Sequence, residues 1–384
     1  MAAFGLMAAA CGNLDNPLED IQGSVNPSSE DSQGSGNSSS EDIPEDVITD
    51  YEFKVTDLAD NEITYNDITV LKLTNEAGAD IVYTYDTEKG VYTVEKTNLA
   101  SATTVWVEVT TGEPGTATAR GYIQKLTADD LTALKTSKTL KMATIGDVIL
   151  SNGSFAVKGT TGEQAVIAYV GKVNKYFNKF LAIALTDCGG GLVWRGYNNG
   201  THTWLDTYPA AAAVNTYADA HPITICGTTY NTNTIGNNYY DQVADNVDVT
   251  SAARTDDAQT GWRMPSVTDW RYIFDGIGRI KNELPLIARW NDTDVVKDGA
   301  TPTEPLGIGE TLAYRRKGSG DQLYGVINTA CGNNELKASD TYAYWTSSEY
   351  TGSDNSAWRY SFGYSRFAWN PGSISNYVRA VFAY

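Results

Sequence analysis

Histidine is nearly absent from this chain of 384 residues: only His202 and His221 occur. A histidine-based catalytic triad or a histidine-rich metal site therefore has little material to draw on. His221 precedes Pro222, which predicts a turn or a helix exit at that point. Cysteine is scarce as well. Cys11, Cys188, Cys226 and Cys331 form no C-x-x-C pair, which excludes a zinc ribbon or a thioredoxin motif. Cys11 stands apart, so the other three leave at least one thiol free, and the sequence does not choose a pair. Cations are few: 28 Lys and Arg face 47 Asp and Glu, a net charge of −19. Such a chain repels phosphate backbones, so no nucleic acid is expected as a partner. An anionic membrane surface is excluded as a direct partner for the same reason. No histidine neighbours Cys188 or Cys331 in sequence, and an activated thiolate needs a base or a cationic setting. The expectation is a protein that is not an enzyme, with no cofactor and no metal.

What is present suits two domains and a tail. Residues 1–10 read MAAFGLMAAA and run into Cys11-Gly12. An apolar stretch of small residues before a cysteine resembles the lipobox of bacterial lipoproteins, with Ala8 where leucine is usual. The resemblance implies that residues 1–11 are a signal ending at Cys11, which carries the lipid. The apolar run is too short for a membrane-spanning helix. Residues 12–46 follow as a disordered tether. Within them, 22–46 hold eight serines and no aromatic residue, too little apolar surface to offset chain entropy. Asp15, Glu19 and Asp20 resemble the export signal of surface-exposed lipoproteins in gut-type Gram-negative anaerobes. Lipid-anchored placement on the outer membrane at the cell surface is the implied location, and the lipid is the one contact with a membrane.

Residues 47–140 alternate with period two. Val105, Val107 and Val109 share one face of a strand, and Asp86-Thr87-Glu88-Lys89-Gly90 reads as a hairpin turn. Short strands with turn signals predict an all-β sandwich, Ig-like or pilin-like, with one helix near 127–134. No chemistry is legible there, and a spacer or assembly module is expected. Residues 141–384 change character. Strand-like runs at 165–170 and 180–185 precede a helical stretch near 204–220. Ser266 caps a helix over 267–276, with Asp269 completing a capping box and Trp270, Ile273 and Phe274 on one face. Residues 290–339 show low periodicity, and strand-like pieces follow at 343–348, 357–363 and 377–384. The overall fold class is therefore α+β.

GWRMPSVTDW (261–270), YWTSSEY (344–350), AWRYSF (357–362) and VRAVFAY (378–384) resemble the G-W-R-L-P, Y-W-S-S, A-W and V-R blocks of bacterial domains with a C-type-lectin-like fold. The resemblance spans most of 143–384 and implies a ligand-binding domain whose final strand pairs near its own start. A narrower resemblance concerns 351–377. In a subset of this fold, diversity-generating retroelements rewrite the C-terminal segment. That layout places Trp358, Tyr360 and Phe362, like Trp345, in the core. It displays Thr351, Ser353, Asp354, Asn355, Arg359, Ser361, Tyr364, Arg366, Ala368, Trp369, Asn370, Ser373 and Asn376 as ligand-binding positions. Composition agrees: 19 of these 27 residues are aromatic, Ser, Gly or Asn, the usage of antibody binding loops.

Trp290-Asn291-Asp292 and Glu304-Pro305-Leu306 approximate the calcium ligands of sugar-binding lectins, but in reversed order and without the asparagine of the first motif. Calcium is therefore not expected. The expected function is a cell-surface, adhesin-like protein that binds a protein or glycan ligand, with pilus subunits as further partners. The alternatives are a structural surface or pilus subunit without a ligand, and an enzyme of the formylglycine-generating fold group.

Overall fold

The computed structural model describes residues 50–99, 104–112, 119–172, 177–194, 209–234, 242–243, 260–277, 295–297, 314–316, 320–332, 336–337, 343–350, 356–362 and 366–384. Cys11, the tether, Thr351, Ser353, Asp354, Asn355, Tyr364, His202 and both calcium-like motifs lie outside them.

The N-terminal lobe runs β1 (Tyr51–Asp57), β2 (Ile68–Asn75), β3 (Thr84–Asp86), β4 (Val91–Val94), α1 (Lys96–Leu99), β5 (Thr104–Thr111), β6 (Arg120–Thr127), α2 (Ala128–Ser137) and β7 (Thr139–Thr144). The strands form one hydrogen-bonded path, β2-β5-β6-β7-β1-β4-β3, rather than the two separate sheets expected. At the end of β2 a tight hairpin turns back on it: Ile81 donates to the Leu73 carbonyl and Asn75 to that of Ala79, both at 2.9 Å. Inside lie Phe53, Val55, Leu73, Val94, Val105, Val107, Val109, Leu140 and Met142, each side chain contributing about 1.5–3 kcal/mol by leaving water. Thr127 and Asp130 cap α2 reciprocally, and its Leu131 and Leu134 seal the core.

The C-terminal lobe continues with β8 (Val148–Leu150), β9 (Phe155–Ala156), β10 (Glu163–Val170), β11 (Phe180–Ala184), β12 (Gly189–Val193), α3 (Pro209–Ala220), β13 (Ile223–Ile225), β14 (Thr228–Tyr230), β15 (Gln242–Val243), β16 (Gly261–Arg263), α4 (Val267–Asp275), β17 (Val295–Lys297), β18 (Tyr314–Arg316), α5 (Gly320–Ala330), β19 (Tyr344–Tyr350), β20 (Ser356–Ser361), β21 (Arg366–Pro371), β22 (Ser375–Val378) and β23 (Val381–Ala383). One sheet has the order β16-β23-β11-β10-β8-β9. A second has β12-β22-β19-β20-β21-β18-β17, with β15 also paired to β19. The final strand β23 lies between β11 and β16, with β11 and β10 separating it from β8, the lobe's first strand.

The expected boundary at residue 141 falls inside β7, so the first lobe extends to Thr144. The lobes also share a core. β5 alternates: its valines face the N-terminal core while Trp106 turns outward, 2% exposed, and stacks on Tyr384 with ring centroids 5.0 Å apart. Lys179 pairs with Glu108 and lies over the Trp106 ring. Gly121 permits this approach, because a Cβ there would sit 2.8 Å from the Val170 carbonyl oxygen. Residues 48–384 accordingly form one compact unit.

At the crossing between the lobes, Asp147 accepts a hydrogen bond from the Thr144 amide at 2.8 Å. Burial pushes its carboxyl from 3.8 up to about 6, the Thr144 bond opposing and the Asp57 charge reinforcing the rise. Between those values the folded protein holds a proton that the unfolded chain has released. Stability is therefore expected to fall as pH rises from about 4 to 6. Asp147→Asn keeps an acceptor for Thr144 and removes the charge. It should flatten that slope in urea titrations and gain about 1–2 kcal/mol at neutral pH, after allowance for solvent screening. An unchanged slope would show that Asp147 titrates normally.

Candidate functional site

The motif blocks resolve first into structure. Trp262 is buried and donates Nε1–H to the His221 carbonyl at 2.9 Å. Arg263 donates from Nη2 to Asp269 Oδ1 at 2.8 Å and from Nε to Oδ2 at 3.3 Å, both residues fully buried. Asp269 also completes the α4 capping box with Ser266, as the sequence predicts. Val267 donates to Ser348 Oγ and Ser347 to the Pro265 carbonyl, tying the head of α4 to β19. Arg379 is likewise buried. Its Nε meets Asp187 Oδ1 at 2.7 Å and its Nη1 donates to the Ala184 carbonyl at 3.0 Å. Tyr344 donates its hydroxyl to Asp187 Oδ2 at 3.2 Å. Both motif arginines therefore serve as internal pins.

The three thiols at Cys188, Cys226 and Cys331 are all unpaired. Burial pushes Cys188 up to about 12 and raises Cys331 too, which favours the thiol over the nucleophilic thiolate. His221 stacks flat on Tyr217 at 3.9 Å, with Nδ1 2.9 Å from the Tyr217 carbonyl oxygen. Among the described residues no group of three or more His, Cys, Asp or Glu side chains could hold a metal ion.

The candidate recognition face is built on β20 and β21. They pair antiparallel, with Trp358 opposite Trp369, Arg359 opposite Ala368, Tyr360 opposite Phe367, and Ser361 opposite Arg366. Opposed residues share a face. One face carries Trp358, Tyr360, Phe367 and Trp369 against α4. Phe274 meets Tyr360 at 4.5 Å between centroids, and Trp270 stacks on Tyr360 at 6.2 Å. The core expectations for Trp345, Trp358 and Phe362 hold, since none is more than 1% exposed. The other face is buried toward β19, where Trp345 and Ala357 join a second core. It opens to solvent across Arg359, Ala368 and Asn370, all half-buried. With the Asn370 amide oxygen turned toward it, Arg359 donates Nε–H at 3.0 Å. The turn after β21 extends the surface through Ser373, Ile374 and Ser375, all exposed. Ile374, 42% exposed, was missed by sequence reasoning; its place in a tight turn after a strand is the signal that could have found it. The register sets Arg366 opposite both Ser361 and Arg315 of β18.

Three expected positions are corrected. Ser361 is 3% exposed, because β20 is paired along both edges and only Arg359 of its six residues escapes burial. Asn376 is also 3% exposed. It shares a face of the interior strand β22 with Val378, a core residue, and its Nδ2 meets no partner among the described residues. Trp369 lies on the core face. Consecutive residues of a strand alternate, so Ala368, Trp369 and Asn370 cannot all be displayed together. The Trp369 ring stacks on Tyr350 at 4.7 Å and 2° between planes, while Trp358 meets Tyr350 edge-on at 5.7 Å. Trp369 Nε1 is buried and finds no acceptor among the described residues.

The remaining surface is small, mixed and rigidly backed: one cation, one amide, hydroxyls and an aliphatic side chain over an aromatic core. It can make directional hydrogen bonds and modest apolar contact, the chemistry of recognition. Compared with protein-family models, curated proteins and solved structures, the chain finds no match in any of the three.

Proposed function

We propose that this chain is an exported, lipid-anchored cell-surface protein that binds a protein or glycan ligand through the exposed face of β20 and β21. In this reading the C-terminal lobe is a C-type-lectin-like domain of the retroelement-diversified kind, and the N-terminal lobe carries it outward on the tether from Cys11. The observation that carries the reading is the split of one hairpin into two faces. Its aromatic face packs on α4, while Arg359, Ala368 and Asn370 reach solvent beside the Ser373 turn. Substitution on the second face leaves the first intact, which is what a variable binding surface requires.

A glycan and protein array probed with residues 48–384 tests the proposal. The expected result is a reproducible hit that Arg359→Ala weakens by about 30-fold while the melting temperature holds. A hit list identical for the wild type and the Arg359→Ala variant would overturn it.

A further inference from the structure

The N-terminal lobe, expected to be a spacer, carries a groove of about 320 Å³ between β1, the turn at Tyr65–Asp67, β3 and β4. Its wall is aromatic. Tyr65 is 48% exposed, yet its ring is fixed, stacked on Tyr85 with centroids 3.9 Å apart and planes 6° apart. Tyr85 in turn leans on Tyr92 at 4.8 Å. One face of the Tyr65 ring is thus covered and held in place, and the ring remains about half open to solvent. An immobilised, half-exposed aromatic has already lost the side-chain freedom that binding would otherwise cost.

Tyr92 closes the floor of the groove: it lines it, is only 3% exposed, and its hydroxyl is enclosed by the protein. Around the rim stand Lys54, Glu62 and Asn66. One cation and one anion cancel, which favours a neutral ligand able both to donate and to accept hydrogen bonds.

We infer that this groove is a second binding site, separate from the C-terminal face, for a neutral carbohydrate, with Tyr65 as the stacking platform and Lys54, Glu62 and Asn66 as the polar rim. A sugar ring presents an apolar C–H face that fits a flat aromatic ring, and a fringe of hydroxyls that suits a lysine, a carboxylate and an amide. The volume is at the lower end for small-molecule sites and suits a short stretch of glycan. The reading does not depend on the proposed recognition face on β20 and β21.

Calorimetric titration of the full chain with cellohexaose, maltohexaose, xylohexaose, mannohexaose and chitohexaose tests the inference. At least one is expected to bind. Tyr65→Ala should weaken that sugar by about tenfold or more, and Tyr65→Phe should keep most of the affinity. Tyr65→Phe keeps the ring and separates stacking from a merely structural role: a melting temperature equal to the wild type in Tyr65→Ala, beside weakened sugar binding, is the expected pairing. Failure of all five sugars to bind, or affinity undiminished in Tyr65→Ala, overturns the site.

Discussion

Asp269→Ala is expected to cost about 4–5 kcal/mol of folding stability, read as a shift in the urea midpoint at unchanged slope. Two mechanisms meet in this carboxylate. It accepts from the Ser266 amide at 2.9 Å as one arm of the α4 capping box, and losing a cap costs about 1 kcal/mol. It also balances Arg263, which is fully buried beside it, and removing one partner of a buried pair costs about 3–5 kcal/mol. The two losses share one side chain, so they do not simply add. Asp269→Asn separates them: the amide oxygen can still accept from Ser266, so the cap survives and the charge does not. The paired change Arg263→Met with Asp269→Leu should recover most of the loss, since well-packed apolar substitutes often match or exceed a buried ion pair. A midpoint shift worth less than about 1 kcal/mol for Asp269→Ala would show that the pair is solvated in solution.

That same helix was the most legible part of the sequence. Ser266 and Asp269 stand three apart before Trp270, Ile273 and Phe274, and the local rule for a capped amphipathic helix needs nothing from elsewhere in the chain. The core face of β20 was legible for a similar reason: Trp358, Tyr360 and Phe362 alternate with smaller or charged residues. Long-range geometry was not legible. Residues 377–384 read as one strand, but the chain leaves β22 at Val378 and enters a different sheet at Val381. Between them Arg379 turns inward to Asp187, a partner almost two hundred residues away. α5 fell inside a stretch read as low in periodicity, although Tyr324, Ile327 and Cys331 stand at helical spacing and share the buried face; the Gly- and Asn-rich residues on either side masked that short signal. The tyrosine groove was invisible for a long-range reason. Tyr65, Tyr85 and Tyr92 come from a turn and two strands, and only the folded sheet stacks them.

Trp369→Ala is expected to behave as a core substitution, with a loss of about 2–4 kcal/mol, below the full range for a buried aromatic because the residue is only half-buried. The residue pairs in register with Trp358 and its ring lies parallel to Tyr350, so truncation removes the surface that Tyr350 stacks on. Trp369→Phe should be nearly neutral: much of the stacking surface remains, and the indole N–H that lacks an acceptor disappears. Arg359→Ala should show the opposite profile, a stability change within about 0.5–1 kcal/mol and a large loss of ligand. The difference follows from strand geometry. Arg359 sits opposite Ala368 on the open face, one residue out of phase with Trp369, so under the proposed function adjacent positions on one hairpin divide the work of holding the fold and meeting a partner. Thermal melts of the three variants decide it. A Trp369→Ala protein that melts with the wild type would place the indole free in solvent and restore it to the recognition surface. A destabilised Trp369→Ala protein beside an intact Arg359→Ala protein would assign the indole to the core and leave Arg359, Asn370 and the Ser373 turn as the exposed part of the hairpin on which the proposed binding can be tested.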